Sequence, residues 1–279
     1  MRREKLSLVS IRHERKVNIM KLAFSTLGCP DWDISHVAKK AAEYGFDGVE
    51  LRIKGDRHVD PKMSAAERKN VREMFAERGI KISALAGYTV FDGDDVAALE
   101  INGEALLKNA GLASDLQSPY IRSFPGDRGI TSRGAEVLHR YCEKVKALGV
   151  TVLMETHDSM KTGRQAAKLL EDVNSDGLAI LWDIHHSIGY GEKPDETWEA
   201  AGAHIRHLHV KDADAANNAC LMGEGVLPVL EIVKLLKMKN FDGFLSFEWE
   251  KTWLPNLPEP EIALPGYVEY MRKCFARGT

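Results

Sequence analysis

The chain has 279 residues, of which 44% are hydrophobic and 28% are charged, proportions typical of a soluble globular protein. Its net charge of −3 excludes the strongly basic surface of a nucleic-acid-binding protein. No apolar run is long enough to span a bilayer. The cysteines form no CxxC pair, so we expect reduced thiols and a cytoplasmic location, with neither a thiolate zinc site nor disulfides: Cys29, Cys142, Cys220 and Cys274.

The N-terminal segment differs from the rest of the chain. Residues 1–19 (MRREKLSLVSIRHERKVNI) are basic and lack the continuous apolar region of a secretory signal. Met20 directly precedes the first strand-like run. We therefore expect residues 1–19 to be a disordered N-terminal extension and residues 20–279 to form one domain.

Short apolar runs followed by polar residues recur along this domain. Helical patterns such as Ile34–Tyr44 and Ala65–Arg78 lie between them, with a repeat of about 30 residues, as βαβ units require. Several of these helices end at a glycine, namely Gly45, Gly79 and Gly149. We predict an α/β protein with a (β/α)8 TIM barrel fold, which needs about 250 residues. The predicted strands are Lys21–Thr26, Gly48–Arg52, Ile82–Gly87, Tyr120–Ser123, Val150–Glu155, Ala179–Asp183, Ile205–Val210 and Phe244–Glu248.

Metal-binding side chains stand at or next to the ends of the last four predicted strands. They are Glu155, Asp183, His209 and Glu248. The carboxyl ends of barrel strands converge at one mouth, so these side chains are expected to meet there. Three carboxylates packed together without a cation would repel and desolvate one another, at a cost of several kcal/mol. The pattern therefore predicts a divalent metal site.

Further polar side chains at the same strand ends are candidates for binding a substrate. They are Glu50, Arg52, Arg122, His157 and Lys211. For Glu50 and Arg52, an ion pair that braces the rim of the barrel is an equally favoured alternative. We expect His204 and His207 to face helices or solvent instead of the site.

Six segments carry a resemblance to a known family. LMETH, LWDIHH, HLHVKD, GEG and FDGFLSFEWE in the C-terminal half, with FDGVELR earlier, resemble the sugar phosphate isomerase/epimerase family, the xylose-isomerase-like TIM barrels. The resemblance covers Met20 to Thr279. It implies that Glu155, Asp183, His209 and Glu248 bind one Mn, Mg, Co or Zn ion. It also implies that His186 hydrogen-bonds substrate hydroxyls.

The chemistry expected of such a site is proton transfer. A divalent ion that chelates the carbonyl and adjacent hydroxyl of a ketose acidifies the C–H between them and stabilises an enediolate. Glu155 and Glu248 come from strands separated by two others, so one can remove the proton and the other return it on the opposite face. We therefore predict a metal-dependent isomerase or epimerase acting on a sugar, polyol or sugar phosphate. A homo-oligomer is left open, and no nucleic acid or membrane partner is expected.

One departure from the family pattern supports an alternative reaction. Ketose 3-epimerases of this family carry an arginine beyond the metal-binding histidine, whereas this chain has Lys211 followed by Asp212. The HxKD form is more similar to the inosose-dehydratase and hydroxypyruvate-isomerase-like branches. In an inosose-type dehydratase, a lyase, Lys211 would bind a carboxylate or assist departure of a hydroxyl. The structural alternative is a surface salt bridge from Lys211 to Asp212 or Asp214.

Two other functional classes share this barrel. Apurinic-site endonucleases ligate three zinc ions and need extra ligands at the ends of strands two to four. The third and fourth predicted strands end in Ala86-Gly-Tyr and Arg122-Ser-Phe-Pro, which supply none, so this function is less favoured. A non-catalytic sugar-binding barrel is also disfavoured, because it gives no reason for a complete metal set.

Overall fold

Eight parallel strands close a barrel, and they follow one another around it in sequence order. The computed structural model describes residues 20–53 and 58–277, so the predicted N-terminal extension, residues 1–19, lies outside the described residues. The strands are β1 (Lys21–Ser25), β2 (Gly48–Arg52), β3 (Lys81–Val90), β4 (Tyr120–Phe124), β5 (Thr151–Glu155), β6 (Leu178–Asp183), β7 (Ile205–Val210) and β8 (Phe244–Phe247).

Helices alternate with these strands, which confirms the predicted (β/α)8 TIM barrel. None of the described helices is both long and apolar enough to cross a bilayer. Two helices separate β6 from β7, and a short hairpin of Asp212–Ala213 with Ala219–Cys220 follows β7. The helices are α1 (Ile34–Tyr44), α2 (Ala65–Ala76), α3 (Val96–Asp115), α4 (Ser132–Lys146), α5 (Gly163–Val173), α6 (Ile184–Gly189), α7 (Pro194–Ala201), α8 (Val229–Met238) and α9 (Pro260–Arg277).

Local sequence signals set several helix ends. Ser64 and Glu67 form a capping box at the start of α2, in which each side chain bonds the backbone N–H of the other. The three glycines predicted to stop helices, Gly45, Gly79 and Gly149, all have positive φ, at 79°, 69° and 74°. This left-handed conformation costs a glycine little, so these predictions are confirmed.

Alternation along each strand divides the buried residues into two sets. The main apolar core lies between the strands and the ring of helices. Inside the barrel the apolar set is small and consists of Leu153, Ala179 and Leu181. Because successive residues point to opposite faces of a strand, Glu155 and Asp183 continue this interior set toward the carboxyl ends. The barrel is therefore apolar low in its interior and polar at the mouth.

Strand β3 is longer than the predicted Ile82–Gly87, since it begins at Lys81 and continues to Val90. The pairing of β3 with β4 shifts register between Leu85 and Thr89. A Cβ on Gly87 would lie 2.6 Å from the carbonyl oxygen of Arg122, so glycine is required where the backbones approach.

Candidate metal centre and active site

The four predicted ligands converge at the carboxyl ends of neighbouring strands. Glu155 ends β5, Asp183 ends β6, His209 is the last residue but one of β7, and Glu248 follows β8. All four side chains are buried, and one ligand atom from each lies within 4.8 Å of the others. Direct register between Asp183 and His209 aligns β6 with β7. The strand geometry thus delivers three carboxylates and one imidazole to a single point.

His209 links two of these carboxylates. Its Nδ1 lies 2.9 Å from Oε1 of Glu155 and 3.1 Å from Oε1 of Glu248. Burial would lower the pKa of His209, but Glu248, Glu50 and Glu155 together raise it well above the ordinary histidine value. The protonated, positively charged form of His209 is therefore favoured.

Two buried cations flank the same carboxylates. Arg122 places Nη1 3.1 Å from Oε2 of Glu155 and 3.3 Å from Oε1 of Glu248. Lys211 places Nζ 2.6 Å from Oε2 of Glu248 and 3.0 Å from Oδ2 of Asp183. Burial would lower the pKa of Lys211, but Asp183, Glu248 and Glu250 raise it well above its usual range. Both residues thus carry fixed positive charge.

The site keeps an excess of negative charge after these pairings. Four buried carboxylates, those of Glu50, Glu155, Asp183 and Glu248, face three buried cations, Arg122, Lys211 and the protonated His209, which leaves one negative charge. Oδ2 of Asp183 also makes no hydrogen bond within the described part of the chain, because the nearby Lys211 lies at an unsuitable angle. An oxygen-rich set with one imidazole, a buried Asp183 oxygen held by an ion pair alone and an uncompensated negative charge fits a divalent cation.

Asp183 also caps the helix that follows β6. Its Oδ1 accepts a hydrogen bond of 2.8 Å from the backbone N–H of His185 and caps helix α6. One carboxylate oxygen is therefore fixed by the helix, and the other, Oδ2, is directed to the site. Burial would raise the pKa of Asp183, but Lys211 and His186 lower it. The carboxylate is held in its ionised form, as a metal ligand must be.

Glu50 and His207 lie inside the barrel beneath His209. Oε2 of Glu50 is 3.0 Å from Nε2 of His207 and 2.9 Å from Nε2 of His209, and all three side chains are fully buried. Glu50 is therefore paired with two imidazoles, and the alternative of an ion pair with Arg52 is wrong. The expectation that His207 faces helices or solvent is also wrong, whereas His204 is exposed as expected.

Arg52 occupies a different part of the mouth. Its Nε donates to the hydroxyl of Tyr88 at 2.5 Å, and its Nη1 donates to Thr252 at 3.0 Å. The guanidinium carbon also lies 5.0 Å from the ring centroid of Trp253, in the loop after β8. Arg52 thus connects the end of β2 to that loop. Its predicted contact with substrate stays a prediction.

His157 and His186 form a half-buried wall beside the metal centre. Their ring centroids are 4.3 Å apart in an edge-to-face arrangement. Nε2 of His186 lies 3.7 Å from Oδ2 of Asp183, and burial lowers the pKa of His186. A neutral imidazole this close to a predicted ligand can donate or accept hydrogen bonds to a sugar hydroxyl.

Lys211 does not form the surface salt bridge to Asp212 or Asp214. Its Nζ is buried against Glu248, Asp183 and also Glu250, at 2.9 Å. The alternative is wrong because the Asp212 carboxylate is occupied elsewhere. It accepts backbone N–H groups of the loop that contains the GEG motif, from Gly223 at 2.9 Å, Gly225 at 3.1 Å and Leu227 at 3.2 Å.

A groove of about 450 Å³ opens beside Lys211. Apolar side chains after β8 form one wall, and amide and imidazole groups form the other. A mixed wall of this kind suits a polyhydroxylated molecule, which has both C–H and O–H faces. Its lining includes His185, Lys211, Asn217, Asn218, Glu250 and Trp253.

Sequence reasoning missed three features of the site. These are the pairing of Arg122 with both glutamates, the pairing of Lys211 with two predicted ligands, and the Glu50–His207 contact. Alternation along β7 could have placed His207 on the same face as His209. The other contacts join residues that are far apart in the sequence and leave no local signal.

The family model for the xylose isomerase-like TIM barrel matches residues 38–274. The chain belongs to this family. Fructoselysine 3-epimerase of Escherichia coli O157:H7 is 23% identical over 255 residues, which cover 82% of this chain and 90% of that protein. The resemblance found in the sequence motifs is thereby confirmed.

Solved structures share the barrel at low identity. The IolI protein with a bound zinc atom matches with a TM-score of 0.76 and 18% identity, over 93% of this chain and 99% of that one. The probable 3-DHS dehydratase AsbF from Bacillus anthracis matches with a TM-score of 0.74 and 20% identity, over 91% and 99%. At these identities the likeness shows the fold.

The arrangement of potential ligands differs from the one expected of a trinuclear endonuclease. Within residues 20–53 and 58–277, metal-binding side chains cluster in two groups that share His209. The first is the predicted set, and the second is Glu50, His207 and His209. Neither group draws a ligand from β3 or β4.

Proposed function

We propose that this protein is a divalent-metal-dependent sugar isomerase or epimerase in which Glu155 and Glu248 transfer protons. The observation that carries the proposal is the position of these two carboxylates. They come from β5 and the end of β8, yet both contact Nδ1 of His209 and Nη1 of Arg122. Epimerase relatives of the same family support this reaction class.

Glu155, Asp183, His209 and Glu248 would hold the ion. When bound, the ion would supply Lewis acidity to the carbonyl and neighbouring hydroxyl of a ketose. Arg122 orients both site glutamates, and Lys211 orients Glu248. His186 and the groove beside Lys211 are placed to bind the remaining hydroxyls.

Proton donation by Lys211 to a departing hydroxyl receives less support. Its three carboxylate partners raise its pKa, which makes the ammonium a weaker acid. A role in holding Asp183 and Glu248 agrees better with its contacts. This reasoning favours the isomerase or epimerase over the dehydratase.

The test is a substrate screen. Protein reconstituted separately with Mn²⁺, Mg²⁺, Co²⁺ or Zn²⁺ is incubated with ketoses, ketose phosphates and inososes, and NMR identifies the products. We expect a ketose to give a product of the same composition with altered stereochemistry or carbonyl position. Glu248→Gln should abolish turnover, whereas Glu171→Gln, a surface control on α5, should not. Loss of water from an inosose would instead assign a lyase.

A further inference from the structure

The Glu50 carboxylate is a buried acceptor shared by two histidines. Glu50 reaches these histidines across the barrel interior, because β2 and β7 are separated around the barrel by β1 and β8. Its Oε2 accepts hydrogen bonds from Nε2 of His207 at 3.0 Å and from Nε2 of His209 at 2.9 Å. Nothing in the substrate chemistry above uses Glu50 or His207.

This geometry keeps a proton on Nε2 of His209. An ionised carboxylate only accepts hydrogen bonds, so each histidine must donate to Glu50 through Nε2–H. The other nitrogen of His209, Nδ1, faces Glu155 and Glu248, where the ion is expected. In the metal-free protein Nδ1 also faces carboxylates and carries a proton. With the Nε2 proton held by Glu50, Nδ1 is the nitrogen that gives up its proton and offers its lone pair when the ion binds.

Two unpaired polar atoms of Glu50 and His207 lower the stability of the fold. Oε1 of Glu50 and Nδ1 of His207 are buried without a hydrogen-bond partner among the described residues. Such atoms lower stability by about 1–3 kcal/mol each. A carboxylate and imidazole kept under these conditions call for a functional reason.

We propose that Glu50 is a positioning residue, supported by His207, that sets the tautomer and ring orientation of His209 as a metal ligand. This inference rests on the metal site of the proposed function. A second ion between Glu50, His207 and His209 is disfavoured, because His209 would then need to give up both ring protons and bridge two ions.

Glu50→Gln tests the proposal without removing side-chain volume. A neutral amide can donate to Nε2 of His209 and leave the proton on Nδ1, where it blocks the ligand position. Ser246→Ala is the matched control. Ser246 is the direct neighbour of His209 on β8, and its buried hydroxyl has no hydrogen-bond partner among the described residues.

Zn²⁺ affinity is measured by competition with a chelator, and long-range ¹H–¹⁵N NMR reads the tautomer of His209 in the metal-free protein. We expect Glu50→Gln to weaken binding by about 10–100-fold and to reduce the Nε2–H form. Ser246→Ala should retain wild-type values. Equal affinity and tautomer in wild type and Glu50→Gln would overturn the proposal, as would equal weakening by both variants.

His207→Ala is the second variant and is read in the same way if Glu50→Gln does not fold. It leaves Glu50 with one donor, so we expect weaker Zn²⁺ binding, by a smaller factor than for Glu50→Gln. Unchanged binding would overturn the supporting role of His207. Two Zn²⁺ ions per wild-type chain would overturn the proposal in favour of a second metal site. Wild-type protein that binds no ion at all would contradict the proposed function itself.

Discussion

Glu155 and Glu248 are joined by one guanidinium nitrogen, although their strands are not neighbours in the barrel. Nη1 of Arg122 lies 3.1 Å from the first carboxylate and 3.3 Å from the second. Two buried carboxylates this close would otherwise repel each other. The cation therefore offsets the repulsion between the two proposed proton-transfer groups in this small volume.

Removal of the Arg122 guanidinium should destabilise the protein. Arg122→Leu leaves two buried carboxylates without their shared partner, and we expect a loss of about 3–5 kcal/mol in unfolding free energy in the presence of a chelator. Saturation with the metal ion should recover part of that loss. Urea unfolding measures both values, with Arg122→Lys as the charge-preserving control. Equal stability of Arg122→Leu and wild type would show that the pairing contributes little.

The metal site should depend on its one imidazole ligand. Wild-type protein is expected to hold about one divalent ion per chain, and His209→Ala should lose it, because the three carboxylates alone bind a labile ion weakly. His204→Ala, an exposed histidine just before β7, is the control and should keep its ion. Elemental analysis measures the content. Two or three zinc ions per chain would support the endonuclease alternative.

Acid should weaken the metal-free fold through Glu248. Burial would raise the pKa of Glu248, but His209 and Lys211 lower it well below its usual range. A lowered pKa adds stability above the unfolded value of about 4.3, and this contribution is lost as pH falls toward the folded value. Glu248→Gln should therefore be less stable near neutral pH and lose less on acidification. Urea titrations at several pH values test this, and identical pH slopes would contradict it.

Much of the fold and site could be predicted because it follows from local pattern. Alternation along β5 to β8 places Glu155, Asp183, His209 and Glu248 on the barrel interior, and closure brings them together. Helix-stopping glycines such as Gly45 act through their own backbone conformation. Features of this kind need no knowledge of distant contacts.

The remaining features depend on how the barrel closes. Glu50 meets His207 across the interior, and Lys211 meets Glu248 from a neighbouring strand, so sequence spacing does not indicate either contact. A surface salt bridge from Lys211 to Asp212 looked reasonable because the two are adjacent. The loop amides that occupy Asp212 lie more than ten residues further on.

We propose that Glu155 and Glu248 move a proton to and from a substrate carbon. The most direct measurement is turnover of the ketose substrate in D₂O by metal-loaded protein, with deuterium located by NMR. We expect deuterium at the reacting carbon, and we expect Glu155→Gln or Glu248→Gln to suppress exchange and turnover together by about 10²–10⁴-fold. Metal content is measured in the same samples, because both residues are also proposed ligands. Turnover without deuterium in the product would contradict proton transfer and indicate a direct hydride shift.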